Sequence, residues 1–352
     1  MSFQDTEAGF EALDRGTPRL SAMRDAIREA DRQQDLKWQF MFRYDYIEES
    51  IFCGDRYYAL IMFPELLELF DSHEALQEDG QCSHLMLITF RWIVEAVEEF
   101  PQITKEEIDR YFRLFKRRLQ DGGHSLNIYY MKRGFVYWHI DRAQAAADFY
   151  RFLEAPLDEI SDGRPLYYNH QVEYYLLTDQ EEKAFRAAEP ILSGKMRSSA
   201  LPQSTYHKFL TYYIRKGDYD KAAHYAKLLE PYAKDNPYYL HNIGTLMSLY
   251  SQTDPAHGAQ LLSNHLAMYL ESKNPWMKVH FLVGAAHLTE QIRQTNAACI
   301  VRVPDGSEIP SDPDGMARYF YREAAKIAKR FDERNGTDDF MQKLLLLPVA
   351  SE

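Results

Sequence analysis

A spacing of 38 residues recurs along the middle of the chain, and it restricts the fold more than any single motif does. Two pairs of adjacent tyrosines each recur once at this spacing: Tyr129-Tyr130 as Tyr167-Tyr168, and Tyr174-Tyr175 as Tyr212-Tyr213. Three alanines keep the same register: Ala146, Ala184 and Ala222. Large and small positions that recur together indicate stacked supersecondary units. Such repeat proteins usually act as binding surfaces, so we expect recognition rather than chemistry.

Apolar residues recur at helical spacing through nearly every segment, and few segments alternate as strands do. Turn-forming residues divide these segments: Gly54-Asp55, Asp121-Gly122-Gly123, Asp162-Gly163, Gly217-Asp218 and Asp254-Pro255. Helices of about 12 to 18 residues that are joined by turns of about two to five residues form antiparallel hairpins. The pattern therefore predicts an all-α fold built from helix pairs.

Residues 206–231 show one such pair most clearly. The first helix of the pair places large side chains on one face: Tyr206, Phe209, Leu210 and Tyr213. The second helix has small residues at Ala222 and Ala226. Small side chains let the paired helices approach closely, while the tyrosines fill the gap to the next pair.

This unit resembles the tetratricopeptide repeat family, whose first helix has an aromatic residue, a Leu-Gly pair and a tyrosine. The second helix of that family has alanine, an aromatic residue and alanine, with a proline after it. Residues 130–153 match at Tyr130, Gly134, Tyr137, Ala146, Tyr150 and Leu153, and the last unit matches at Ala317, Tyr321 and Ala324. Val172 and Leu210 depart from the pattern, and Pro190 should end or kink a second helix early. The resemblance implies a right-handed superhelical solenoid.

Extending the register in both directions gives about seven antiparallel helix pairs. We expect an N-terminal arm and capping helix in residues 1–33, and a repeat domain in residues 34–352 with a C-terminal capping helix at 338–347. The last hairpin contains an insertion at residues 295–314. Its β-prone residues and its Pro-Asp-Gly turn favour a small flap, and a disordered loop is the alternative.

First helices line the concave surface of such a solenoid, so the groove-facing positions lie about 100° per residue away from the packing positions. This rule selects Tyr44, Glu48, Met131, Phe135, Trp138, Asn169, Glu173, His207, Thr211, Arg215, His241 and Thr245. Amide, hydroxyl and charged side chains can hold the backbone of an extended peptide, and apolar patches can accept its side chains. The alternative is that these residues form only the solvated inner face of the superhelix.

Three histidines recur at similar places on successive first helices: His207, His241 and His280. They could converge, but no HExxH motif and no cysteine pair accompanies them, so ordinary surface or packed histidines are the favoured interpretation. The basic cluster of Arg113, Lys116, Arg117 and Arg118 complements the dipole at the end of its helix. We expect no metal ion, no cofactor and no catalytic residue.

The net charge of −12 and the isoelectric point near 5.5 argue against a direct nucleic-acid or membrane partner. The three scattered cysteines fit a reducing compartment, and the N-terminus lacks an apolar run of the signal-peptide type. These features predict a cytoplasmic protein.

The leading hypothesis is a non-enzymatic repeat protein that binds a peptide or protein in its concave groove, with a homodimer left open. In length and in its divergent pairs, the chain looks like the repeat domains of Gram-positive peptide-pheromone receptors. That resemblance implies a peptide-responsive regulator that acts through a protein partner. The alternatives are a self-assembling scaffold and an enzyme with a histidine-containing groove site.

Overall fold

The helices and turns of the chain follow the sequence pattern closely. The computed structural model describes residues 2–54, 56–234 and 236–345, and these residues form α-helices, short 3-10 turns and loops without a β-strand. The first nine α-helices are α1 (Phe3–Phe10), α2 (Thr17–Gln33), α3 (Leu36–Phe52), α4 (Arg56–Ser72), α5 (Glu74–Glu78), α6 (Gly80–Ala96), α7 (Lys105–Asp121), α8 (Asn127–Tyr137) and α9 (Arg142–Glu154). The next nine are α10 (Arg164–Leu177), α11 (Glu181–Leu192), α12 (Gln203–Lys216), α13 (Tyr219–Ala233), α14 (Leu240–Thr253), α15 (Pro255–Glu271), α16 (Pro275–Thr295), α17 (Pro313–Asn335) and α18 (Asp339–Leu345). The all-α prediction is confirmed, and the helices pack in neighbouring pairs.

The predicted turns end and begin helices by local backbone chemistry. Gly217 has a φ of 70° and ends α12, because this left-handed conformation strains residues that have a Cβ atom. The carboxylate of Asp218 then accepts a hydrogen bond from the Lys221 N–H and caps α13. Asp254 caps α15 in the same way. Asp55, which belongs to another predicted turn, lies outside the described residues.

The chain divides into two compact units. The first consists of the residues up to Trp138 together with Ala143–Ser161, and the second consists of His139–Arg142 together with the residues from Asp162 onwards. The first unit thus contains α1 to α8 and most of α9, and the second contains α10 to α18. The division falls inside the single repeat domain that the sequence predicts. Within the described residues, no helix combines the length and the apolarity that crossing a membrane requires.

In the first unit, the predicted N-terminal arm forms two helices. The expected capping helix is α2, which begins at Thr17, and Pro18 is tolerated there because it lies in the first turn of the helix. The additional helix α1 packs through Phe3 and Phe10, whose rings lie 5.5 and 5.8 Å from the ring of Phe42 in α3. Apolar burial by these two rings holds the arm on the first helix pair.

In the second unit, the predicted close-packing positions are confirmed. Ala184 in α11 and Ala222 in α13 have no accessible surface. Pro190 lies in the last turn of α11, which ends two residues later at Leu192. Proline has no N–H to donate to the carbonyl four residues earlier, and the helix ends within the same turn.

The closest helix contact in this unit joins two first helices, α14 and α16. A Cβ atom added to Gly244 would lie 2.1 Å from the backbone oxygen of His280, and one added to Gly284 would lie 2.0 Å from the backbone oxygen of Gly244. Both distances are far below van der Waals contact, so only glycine allows these backbones to touch. The contact sets the spacing between the faces of α14 and α16.

The insertion follows α16 and forms no strand. Residues 296–312 run irregularly between α16 and α17, so the β-prone residues do not pair as a hairpin. Val301 and Val303 instead pack on the helical core, Ile309 is buried, and the Arg302 N–H donates to Ser263 Oγ at 2.9 Å. The predicted C-terminal helix is α18, and residues 346 and 347 of that prediction lie outside the described residues.

Candidate functional site

The candidate site lies on the first helices of the second unit, α10, α12, α14 and α16. Polar side chains on each of these helices reach the next one. The buried Asn169 side chain donates to Ser204 Oγ at 3.1 Å and accepts from Thr205 Oγ1 at 2.8 Å. Asn169 therefore joins α10 to α12, and its selection as a groove-facing ligand donor is corrected.

Charged side chains join the same two helices nearer the surface. Glu173 forms an ion pair with Lys208, whose side chain is only 13% exposed. Arg215 donates to the Leu176 backbone oxygen at 2.7 Å and to Asp179 at 2.8 Å, and its side chain is 44% exposed. Hydrogen bonds from Lys216 and Arg215 hold the pKa of Asp179 below its usual range. Glu173 and Arg215 are thus partly accessible and already engaged.

Four side chains form a continuous line across α12, α14 and α16, and we call His207, His241, Trp276 and His280 the imidazole row. The rings of His207 and His241 lie 5.2 Å apart, edge to face. His241 is 5.0 Å from Trp276, which in turn is 4.4 Å from His280. The three histidines, whose convergence the sequence analysis gave only as a possibility, therefore lie along one line with a tryptophan between the second and the third.

Two hydroxyl groups lie beside His207 Nε2. The Thr245 hydroxyl lies 3.0 Å from this nitrogen and 3.3 Å from the backbone oxygen of His241. Thr211, which is exposed, lies 3.5 Å from the same nitrogen. The Thr211 hydroxyl thus faces solvent beside the His207 ring.

Burial keeps His207 and His280 uncharged at neutral pH. It lowers the pKa of His207 well below the usual range, and the nearby His241 and Lys208 act in the same direction. It also lowers the pKa of His280, with Lys343 as the next largest cause. His280 Nε2 is buried and forms no hydrogen bond within the described residues. His207 and His280 therefore contribute neutral polar atoms rather than charges to the row.

Helix α18 covers one end of the imidazole row. The Phe340 ring lies 6.0 Å from the ring of His280 and 5.5 Å from that of His139. Asp332 in α17 caps α18 by accepting from the Phe340 and Met341 N–H groups, each at 2.9 Å. The accessible part of the row thus lies on α12 and α14.

His287, farther along α16, is held on both sides of its ring. Its Nε2 lies 3.2 Å from the backbone oxygen of Leu344, and its Nδ1 lies 3.3 Å from Ser248 Oγ. A carbonyl oxygen only accepts, so Nε2 donates to it and Nδ1 accepts from the serine hydroxyl. Burial lowers the pKa of His287, which fits this neutral form.

The remaining predicted residues lie in the first unit. Met131 is buried in the core, which corrects its selection as a groove-facing residue. Phe135 and Trp138 pack on Phe149 of α9, with ring distances of 4.7 and 6.2 Å. Tyr44 donates to Glu48 at 3.1 Å.

Sequence reasoning did not select Trp276, Phe340 or Lys208 for the site. Trp276 lies 35 positions after His241, which itself lies 34 positions after His207, so a tolerance of a few residues in the repeat period would have found it. No such spacing could have indicated Phe340, because α18 is not part of the repeat and contacts the row only through the tertiary fold. Within the described residues, no three His, Cys, Asp or Glu side chains are grouped so that they could hold a metal ion.

Comparison of the chain with family models, with curated proteins and with solved structures gives no match in any of the three.

Proposed function

We propose that the protein is a non-enzymatic helical-repeat protein that binds an extended polypeptide segment along α10, α12 and α14. The proposal includes the finer architecture that the resemblance implies, a right-handed superhelix of about seven tetratricopeptide-like pairs. The all-α fold and the neighbouring helix pairs support it. The imidazole row is the observation that carries it, because it places neutral polar groups on consecutive helices.

The chemistry of the row favours an uncharged stretch of polypeptide. Neutral imidazoles and threonine hydroxyls can exchange hydrogen bonds with backbone amides without desolvating a charge. Thr211 is exposed and Thr245 is partly exposed, so both hydroxyls can be reached from solvent. Glu173 and Arg215 are each in an ion pair but remain partly exposed, so they can also meet charged side chains of the bound segment.

A self-assembling scaffold is the second candidate, and one observation favours it. Asn169, Glu173, Lys208 and Arg215 all bond neighbouring elements of the same unit. These groups would then serve to fix the spacing of the first helices, without any ligand. Our first candidate, the polypeptide-binding protein, also includes the proposals that the protein is cytoplasmic and that it acts as a peptide-responsive regulator.

A displayed library of random nine-residue peptides tests the proposal. Peptides enriched on the full chain are titrated against Thr211→Glu, which places a charge and a longer side chain on an exposed position beside His207. We expect affinity to fall at least ~10-fold while thermal stability is unchanged, because the charge is not paired in the complex. His224→Glu on α13 is the control, since His224 is an exposed residue on a second helix.

Two outcomes would contradict the proposal and favour the scaffold. One is that no peptide is enriched above the background of an unrelated protein. The other is that the enriched peptides bind Thr211→Glu as tightly as the unaltered chain, so that their site lies elsewhere.

A further inference from the structure

A cleft of about 380 Å³ opens between α16 and α17 in the second unit, away from the imidazole row. The C-terminal half of α16 forms one wall, the N-terminal half of α17 forms the other, and the end of α18 closes it. This volume is within the range of about 300–1,000 Å³ that is typical of small-molecule sites.

The floor of the cleft is apolar and has no spare hydrogen-bonding group. Ala286 on α16, Ala317 on α17 and Leu344 on α18 line it, and all three are buried residues. The His287 ring also lines the floor, but Ser248 and the Leu344 carbonyl occupy both of its nitrogens. The floor therefore accepts an apolar group, and the small alanines leave the room for it.

The rim of the cleft has two regions of opposite charge. Arg293 donates to Glu290 at 2.6 Å and lies 4.0 Å from Asp314, so one cation is shared by two carboxylates. The hydrogen bond from Arg293 lowers the pKa of Glu290, which keeps it ionised. This group of three has one excess negative charge. Arg318, also on the rim, forms no ion pair within the described residues and is exposed.

We propose that this cleft binds a free α-amino acid with an apolar side chain. The ammonium group lies against Glu290 and Asp314, the carboxylate against Arg318, and the side chain between Ala286 and Ala317. Asp314 and Arg318 are one helical turn apart on α17, so their side chains stand about 5–6 Å apart at Cβ and can flank both head groups.

The charge pattern selects a zwitterion over singly charged ligands. A ligand with only a carboxylate meets Glu290 and Asp314 beside Arg318, and these repel it. A ligand with only an ammonium group leaves Arg318 without a counter-charge. The cleft is also separate from the proposed polypeptide site along α10, α12 and α14, so the two proposals can be tested independently.

Calorimetric titration of the full chain with leucine and phenylalanine tests the site. N-acetyl-leucine, which lacks the ammonium charge, and leucinamide, which lacks the carboxylate, are titrated in parallel. We expect saturable binding of the free amino acids and affinities at least ~10-fold weaker for both derivatives, as expected when one charged hydrogen-bonding group is lost.

The variant Arg318→Gln separates the two head groups. It should weaken leucine binding at least ~10-fold without weakening leucinamide binding, since leucinamide has no carboxylate for Arg318 to hold. Arg322→Gln, on the next turn of α17, is the matched control because Arg322 is exposed and does not line the cleft. It should leave both affinities unchanged.

Three results would overturn the proposal. The first is the absence of saturable heat with every apolar amino acid. The second is binding of N-acetyl-leucine as tight as that of leucine, which would indicate a simple carboxylate site. The third is unaltered leucine affinity in Arg318→Gln.

Discussion

Replacing Gly284 with alanine should destabilise the second unit by forcing α14 and α16 apart. The added Cβ would lie 2.0 Å from the Gly244 backbone oxygen, whereas real Cβ atoms keep at least 3.0 Å from their neighbours. The two backbones must therefore separate locally by about 1 Å. No side-chain rotation can relieve the clash, because the obstacle is a backbone oxygen inside a helix.

The magnitude follows from two opposing effects. Alanine is a better helix former than glycine by ~1 kcal/mol, which favours the variant. Overpacking costs ~1–3 kcal/mol, and a backbone obstacle places this site at the upper end of that range. We expect a net loss of about 2 kcal/mol in the free energy of unfolding, since the overpacking cost outweighs the gain in helix propensity.

Urea unfolding followed by circular dichroism measures the loss, and hydrogen exchange locates it in α14 and α16. Gly80→Ala is the control, because Gly80 begins α6 and a Cβ there meets nothing within 4 Å. Gly258→Ala should fall between the two, since its nearest obstacle at 2.7 Å is the end of the Leu288 side chain. Equal unfolding midpoints for Gly284→Ala and Gly80→Ala would refute the close backbone contact.

Three further substitutions test other parts of the structure. Ala222→Leu should lower the free energy of unfolding by ~1–3 kcal/mol in urea melts, because Ala222 has no accessible surface. An unchanged midpoint would mean that α12 and α13 are packed less tightly than the structure shows. Burial raises the pKa of Asp45 to about 8, so the contribution of Asp45 to stability is greatest below its unfolded pKa of ~4 and is lost as pH rises through 8. Asp45→Asn should therefore raise the free energy of unfolding by ~1–3 kcal/mol at pH 9 and by little at pH 4 in the same assay. The gain is limited to this range because water reaches part of the carboxyl group. Equal gains at the two pH values would contradict the prediction. Burial lowers the pKa of His280, so its neutral form stabilises the fold above pH ~6.5 and that stability is lost as pH falls below this value. His280→Asn should weaken the dependence of the melting temperature on pH between 7.5 and 4.5, and an unaltered slope would place the acid-sensitive group elsewhere.

The helices could be predicted from the sequence because the signals that define them are local. Apolar periodicity and capping residues such as Asp218 act within one or two turns, and small residues such as Ala222 report contacts inside one hairpin. The contact at Gly244 and Gly284 gave no such signal. A glycine inside a helix reads only as a weak helix former, and its role depends on a backbone 40 residues away.

The candidate site was predicted in part, and the errors share one cause. The rule that selected groove-facing positions by their angle from the packing positions assumes that each first helix contacts only its paired second helix. First helices also contact one another directly, so the side chain of Asn169 is hydrogen-bonded to Ser204 and Thr205 on the next first helix. The recurrence of His207, His241 and His280 did indicate neighbouring side chains, because residues at the same position of successive repeats lie on adjacent helices.

The cap that Asp332 provides has a consequence for the order of folding. A helix as short as α18, with seven residues, has no stability of its own in water. It can form only after the end of α17 presents Asp332 and the ring of Phe331, against which Phe340 stacks at 4.6 Å. While the chain is being synthesised, Phe331 therefore lacks this stacking partner until α18 emerges. We expect the apolar cluster of Val279, Ala328, Phe331 and Phe340 to be complete only once α18 has docked on the end of α17.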